Sequence, residues 1–289
     1  MATARKVRIP PPRADGFIRF GKRKAKRDAR NLMFASLLRA APKLPAEYDF
    51  DVEHKGVPTP MFGNDTYGDC VMAGRAHQTL RFELVERKKL LKITDQDVLT
   101  EYFSETGGAD TGLVVLDSIK EWRSKGWVAA KKRYKIKAFA EVDPTRSTDI
   151  KRAVYMDLGV GLGFLLPDAA IKQFTAGKPW TVVSGASGKA NPKNGHYVYV
   201  PGYTKTGPVC VTWGRKQQMS WQFLAKYCDE AYTLIDAPDN TAKKKRMLNA
   251  AKLQDFLDRL KQAKKQSTAA PRKRATTKRS TTKRGSRRG

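Results

Sequence analysis

Apolar side chains recur at steps of three and four after residue 70, at Ala73, Ala76, Leu80 and Leu84. This spacing predicts a helix from Cys70 through Arg87 with one buried face. Thr94-Asp95-Gln96-Asp97 resembles a capping box, with Asp97 where Glu or Gln usually stands. It predicts a helix through Phe103, ended by Gly107-Gly108. Leu113, Leu116, Ile119 and Trp122 define a third helix, stopped at Gly126.

The pattern then changes. Ile136 to Val142, Gly159 to Leu166, Trp180 to Val183, His196 to Val200, Val209 to Trp213 and Ala231 to Ile235 read as strands. Asp149 to Leu158 and Trp221 to Tyr227 read as helices between them. A helical first half and a strand-rich second half predict an α+β fold with two sub-lobes. Gly159-Val160-Gly161-Leu162-Gly163 has the glycines of a phosphate loop but sits inside a strand pattern, with no helix start and no acidic residue after it. It is read as strand. Residues 241–265, with Leu253, Phe256, Leu257 and Leu260 on one face, predict a Lys-rich amphipathic helix.

Charge separates the ends of the chain from its middle. The net charge is +29 over 289 residues. Residues 1–31 carry eleven Lys/Arg against two acids, and residues 238–289 carry eighteen against three. The stretch between has twenty-eight against twenty-three, an ordinary balance. The chain therefore divides into a basic N-terminal arm (1–31), a globular domain (32–236), a basic amphipathic helix (237–266) and a low-complexity tail (267–289). The arm, with Pro10-Pro11-Pro12 and the run Lys22 to Lys26, reads as extended, and the proline-broken stretch 32–60 as a lead-in that wraps the domain. The tail repeats Thr-Thr-Lys-Arg and has no acid, so it is expected to be disordered when free. Arg272, Lys273, Arg274, Lys278, Arg279, Lys283, Arg284, Arg287 and Arg288 are its candidate phosphate contacts, giving nucleic-acid affinity without base readout. No sequence-reading DNA motif accompanies them.

Cys70, Cys210 and Cys228 are too few and too widely spaced for a disulfide framework, and no Cys-x-x-Cys pair suggests zinc. No signal-peptide h-region and no membrane-spanning apolar run is visible. The cytoplasm, or a virion assembled there, is the expected compartment. Neither a metal nor a cofactor is expected, and nothing fixes the oligomeric state.

One constellation carries chemistry. Cys70 follows the polar turn Asn64-Asp65-Thr66-Tyr67-Gly68-Asp69 and opens a helix, where the macrodipole and free N–H groups favour a thiolate. His196 opens a strand far downstream. Together they are the parts of a nucleophile–base pair. Cys210 and Cys228 lack such a context and read as core. His77 lies about 10 Å along the helix from Cys70, beyond hydrogen-bond reach, and reads as packed or surface. His54, in a loop, reads as solvated.

Leu44-Pro45, Gly56-Val57-Pro58-Thr59-Pro60 and Gly68-Asp69-Cys70 resemble the mature start of papain-like cysteine peptidases. Gly195-His196-Tyr197-Val198-Tyr199-Val200-Pro201-Gly202-Tyr203 and Val211-Thr212-Trp213-Gly214 resemble that family's histidine strand and its Asn-Ser-Trp-Gly. The resemblance covers about 44–236, and Asn-Asp-x-x-Gly-Asp-Cys points toward uncharacterised bacterial and phage papain-fold proteins. It implies a helical lobe with a central Cys-bearing helix beside an antiparallel β lobe. It implies Cys70 as nucleophile, His196 as base and Asn64 as an oxyanion donor. The family's histidine-orienting Asn falls on Val211 if Trp213 is the anchor, or on Thr212 if the strand slips by one. Asp69, beside the thiol, is expected to oppose a thiolate unless it caps the helix or pairs with a base.

Two function classes follow. One is a thiol hydrolase acting on a peptide or protein substrate and tethered to nucleic acid by its basic arms. The other is a catalytically silent papain fold that binds DNA or RNA, in a phage particle or nucleoid. Removal of residues 1–43 as a pro-segment fits the first.

Overall fold

The computed structural model describes residues 7, 9–11, 18–39, 43–237 and 239–269, the side chains of 264–269 excepted. The elements in order are β1 (Tyr48–Asp49), α1 (Phe50–Glu53), α2 (Cys70–Arg87), α3 (Asp95–Glu105), α4 (Val115–Ser124), β2 (Trp127–Ala129), β3 (Lys132–Tyr134) and β4 (Ala138–Glu141). They continue as α5 (Ser147–Tyr155), β5 (Val160–Leu165), α6 (Asp168–Thr175), β6 (Gly195–Tyr203), β7 (Pro208–Thr212), β8 (Arg215–Gln218), α7 (Trp221–Tyr227), β9 (Cys228–Ile235), α8 (Ala242–Met247) and α9 (Ala250–Ala269). The main sheet runs β4-β9-β5-β6-β7-β8, antiparallel throughout, with β1 added against β6. A helical lobe of α2, α3 and α4 packs one apolar cluster, and the sheet with α5, α6 and α7 packs a second. This is the α+β, two-lobed arrangement that the hydrophobic pattern predicts.

Helix α2 is where the expectation of one buried face fails. Almost every residue from Cys70 to Val85 is buried, polar ones included. The helix is central, packing on β6 and α3 as well as on the loops before it. Its polar side chains remain inside because each has a partner. Arg81 forms a two-pronged pair with Asp51 at 2.7 and 2.8 Å. Arg75 meets Glu105 at 2.8 Å and the Ser118 carbonyl at 2.7 Å. Gln78 donates to the Leu158 carbonyl at 2.8 Å.

Other differences have local causes. The hairpin β2–β3 turns through Ala130 and Lys131, both at positive φ, without the Asn or Gly that announces such a turn. Strand β8 is Arg-Lys-Gln-Gln and shows no apolar alternation. Trp180 to Val183 makes only a single bridge, Trp180 to Met219. The helix expected over 241–265 is two helices, because Leu248 bridges to Leu38 and Asn249 donates its main-chain N–H to the Leu37 carbonyl.

Candidate active site

The turn before α2 is held from inside. Asn64, buried, donates its side-chain amide to the Tyr67 carbonyl at 3.1 Å. Asp110 accepts from the Gly68 N–H at 3.0 Å and from Tyr102 Oη at 2.6 Å. Asp69 is the N-cap residue by position, yet its side chain caps nothing and pairs with no base. Burial pushes its carboxyl well above the usual range, which weakens its opposition to a thiolate at Cys70. Cys70 is then the first residue of the helix, 1% exposed. Its sulfur lies against the main chain of Tyr197, the residue after His196, and against that of Gly21.

His196 stands at the start of β6. Its Nε2 is 2.6 Å from Thr212 Oγ1. Trp213 stacks on the ring, with centroids 4.0 Å apart and planes 13° from parallel. Phe20 meets the same ring edge-on at 6.0 Å. Nδ1 is buried with no hydrogen-bond partner. Thus Thr212, not Val211, is the residue beside the histidine. The two alternate along β7, so only one can face β6's first turn. The register of β6 on β7 shifts between Tyr199 and Gly202, an irregularity the sequence pattern does not reveal. Trp213 and Gly214 form the two-residue turn into β8, both at positive φ. Trp213 at φ 43° costs roughly 1 kcal/mol, and that conformation sets its ring over the imidazole.

The arm is the part of the site that sequence reasoning missed. Far from standing free, residues 18–23 run through the cleft between the lobes. Gly21 and Lys22 donate their N–H groups to the Gly195 carbonyl at 3.1 and 3.0 Å. On the other side Leu113 donates to Gly21 O at 2.8 Å, and Arg23 donates to Leu113 O at 2.9 Å. Trp213 Nε1 donates to the Arg19 carbonyl at 3.3 Å. At Gly21 no side chain fits, since a Cβ would lie 1.5 Å from Gly68 O. The one available signal was a lone glycine between bulky residues, Phe20-Gly21-Lys22. Farther back, Tyr67 Oη donates to the Pro10 carbonyl at 2.6 Å.

This strap dries the site. Burial pushes the Cys70 thiol up to about 12 and the His196 imidazole down to about 3. Both are neutral in the covered state. His77 is a core residue against Phe62, 4.9 Å between centroids, and burial holds its imidazole well below the ordinary range. His54 packs on Phe50 at 4.1 Å with Nε2 buried, contrary to the solvated reading. Cys210 is core, and Cys228 is half-buried on β9. Glu53, His54 and Asp157 cluster closely enough to suggest a cation, but the Lys243 ammonium sits there, 2.7 Å from Glu53 and 3.4 Å from Asp157. The tail residues Arg272, Lys273, Arg274, Lys278, Arg279, Lys283, Arg284, Arg287 and Arg288 lie outside the described residues.

Solved structures match this architecture. A cysteine protease of Carica candamarcensis, CMS1MS2 in complex with E-64, aligns over 67% of this chain and 99% of its own, with a TM-score of 0.50 and 14% identity. Procathepsin L 3 of the Tenebrio molitor larval midgut aligns over 76% and 77%, with 0.53 and 13%. The fold is papain-like. The ragweed pollen allergen Amb a 11, a cysteine protease in its proform, matches this papain-like chain over 72% and 71%, with 0.50 and 14%. No protein-family profile and no curated protein sequence matches the chain.

Proposed function

We propose that this chain is a papain-fold thiol hydrolase acting on a peptide or amide bond, kept covered by its own N-terminal arm and carried to nucleic acid by its Lys/Arg-rich tail. One observation carries the reading. His196 is oriented at Nε2 by Thr212 and roofed by Trp213, and it keeps a free, buried Nδ1 on a strand whose next residue touches the Cys70 sulfur.

The chemistry follows from those atoms. With the strap gone, water reaches the cleft and both groups return toward ordinary pKa values. Nδ1 then takes the Cys70 proton, and the thiolate adds to the scissile carbonyl. The Cys70 N–H stabilises the oxyanion, and Asn64, whose amide is held between the Tyr67 carbonyl and the Asp69 carboxyl, is the candidate second donor once the site opens. His196 returns the proton to the leaving amine, and the same ring activates the water that releases the acyl group. Thr212 holds the ring in place. Its hydroxyl both donates and accepts, so it fixes orientation without imposing one tautomer. The Asn-Asp-x-x-Gly-Asp-Cys motif is the ground for relating the chain to bacterial and phage papain-fold proteins, with the cytoplasm or a virion as its setting.

Gly21→Val tests this, since a side chain there cannot stay against Gly68. In the full chain carrying it, Cys70 is expected to react with iodoacetamide roughly a thousandfold faster than in the wild type, as the thiol falls from about 12 toward its ordinary value. It should also outpace Cys210 and Cys228. Equal, slow labelling of all three cysteines refutes the hydrolase.

A silent binding protein remains the second reading, favoured by the neutral, covered Cys70–His196 pair. It requires nucleic-acid affinity, lost on removal of 238–289, in a chain whose Cys70 stays unreactive after strap displacement.

A further inference from the structure

The strap does more than cover the thiol. Lys22 buries its whole side chain, 0% exposed, in a pocket beside the cleft. Its Nζ lies 2.8 Å from Asp229 Oδ2 and 3.4 Å from Glu230 Oε1. Gly163 on β5 makes the wall, and a Cβ there would come within 2.4 Å of Lys22 Cε and 2.6 Å of Glu230 Cγ.

Two neighbouring residues on a strand ordinarily face opposite sides of the sheet. Asp229 and Glu230 nonetheless reach one ammonium, because β9 is bulged here. Gly163 pairs with Glu230 and Phe164 with Cys228, so Asp229 is the extra residue. The bulge aims two carboxylates at one point. They outnumber the single ammonium between them, and burial pushes Glu230 up to about 7. A pocket of this kind holds a cation or a proton. It does not favour an apolar side chain.

The mouth of the pocket is set for a peptide. The Gly195 carbonyl and both main-chain groups of Leu113 pair with an extended backbone, and the residue before the buried lysine lies against Cys70. We infer that Asp229, Glu230 and Gly163 form a specificity pocket selecting a lysine or arginine side chain in the peptide substrate, with Lys22 as its resident stand-in. This rests on the hydrolase reading for its use in catalysis, but the pocket's selectivity is a matter of binding and can be measured without turnover.

The probe is a fluorescent peptide copying residues 18–24, together with the same peptide carrying norleucine at the position of Lys22. Both are titrated by anisotropy into the full chain with Gly21→Val, to displace the strap, and Cys70→Ser, to prevent reaction. The lysine peptide is expected to bind at least tenfold more tightly. That preference should fall below threefold when Asp229→Asn and Glu230→Gln are added. Equal binding of the two peptides, tighter binding of the norleucine peptide, or no binding of either overturns the inference. If the combined variant does not fold, Lys22→Met in the otherwise natural chain provides the second measurement. Amide exchange at Gly21, Lys22 and Arg23 should then accelerate at least tenfold, and unchanged exchange overturns the inference. Iodoacetamide labelling of Gly21→Val reports on the hydrolase reading independently of either result.

Discussion

The two basic regions of this chain share a composition and not a fate. Among the described residues of the N-terminal arm, Lys22, Lys26 and Arg27 are paired with acids of the domain. Lys22 meets Asp229 and Glu230, Lys26 meets Asp117, Arg27 meets Glu141, and Asp28 draws in Lys120. After residue 237, Lys243 and Lys244 are anchored in the same way, to Glu53 and to Asp236. On α9 the pairing lies within the helix, Arg259 with Asp255 and Lys261 with Asp258. Net charge therefore does not identify a polyanion-binding arm. What matters is whether the folded domain presents acids at the right spacing, and for Lys22, Lys26 and Arg27 it does.

The largest effect expected from this contrast lies in the tail. Replacing its nine Arg and Lys between 272 and 288 by Gln should cost roughly a thousandfold in affinity for duplex DNA at low salt and flatten the salt dependence. Lys22→Met should leave both unchanged. Titrations at several salt concentrations decide it, and a loss shared equally by the two variants breaks the comparison.

Lys22→Met acts instead on stability. It leaves the buried Glu230 carboxylate and the half-buried Asp229 without their cation, at a cost of about 3 kcal/mol at pH 8. Glu230 already has its folded pKa raised to about 7 from the ordinary 4.5. A raised folded pKa means stability that is present at low pH and lost as pH rises through that value. The deficit of the variant should thus shrink at pH 5, as read by denaturant midpoints.

The covered histidine leaves a trace of opposite sign. His196 titrates near 3 in the fold against 6.5 unfolded. The unfolded chain then binds the proton first, and stability falls as pH drops from 6.5 toward 3. Wild type minus His196→Gln should show a difference in slope worth about 2 kcal/mol by pH 5. Parallel profiles would mean that the strap leaves His196 solvated. Least of all, Lys26→Gln and Arg27→Gln, whose pairs are largely exposed, should each move stability by less than about 0.5 kcal/mol. A larger loss would mean that the arm is held along its length and not chiefly by Lys22.

Local chemistry was legible in the sequence, and long-range pairing was not. The limits of α2 and the Thr94 capping box follow from residues within a few positions of each other, and both stand in the structure. That a helix-opening cysteine and a strand-opening histidine are the candidate reactive residues was readable in type, though no hydrogen bond joins them in the fold. The choice between Val211 and Thr212 was not, because it depends on a register shift in β6–β7. Helix α6 escaped notice because its eight residues hide behind Pro167. The strap was invisible because its partners, Gly195 and Leu113, lie far along the chain and offer only main-chain atoms. Hydrogen bonds to carbonyls leave no mark on residue identity.

The bulge at Asp229 makes selectivity depend on residue count as well as residue type. Deleting one position in β9 would restore regular pairing with β5 and turn one of the two acids away, with every remaining wall of the pocket unchanged. Relatives that differ there by a single insertion or deletion would diverge in the side chain they accept while keeping the same reactive pair. Length variation in one strand is thus a short evolutionary route to a new preference.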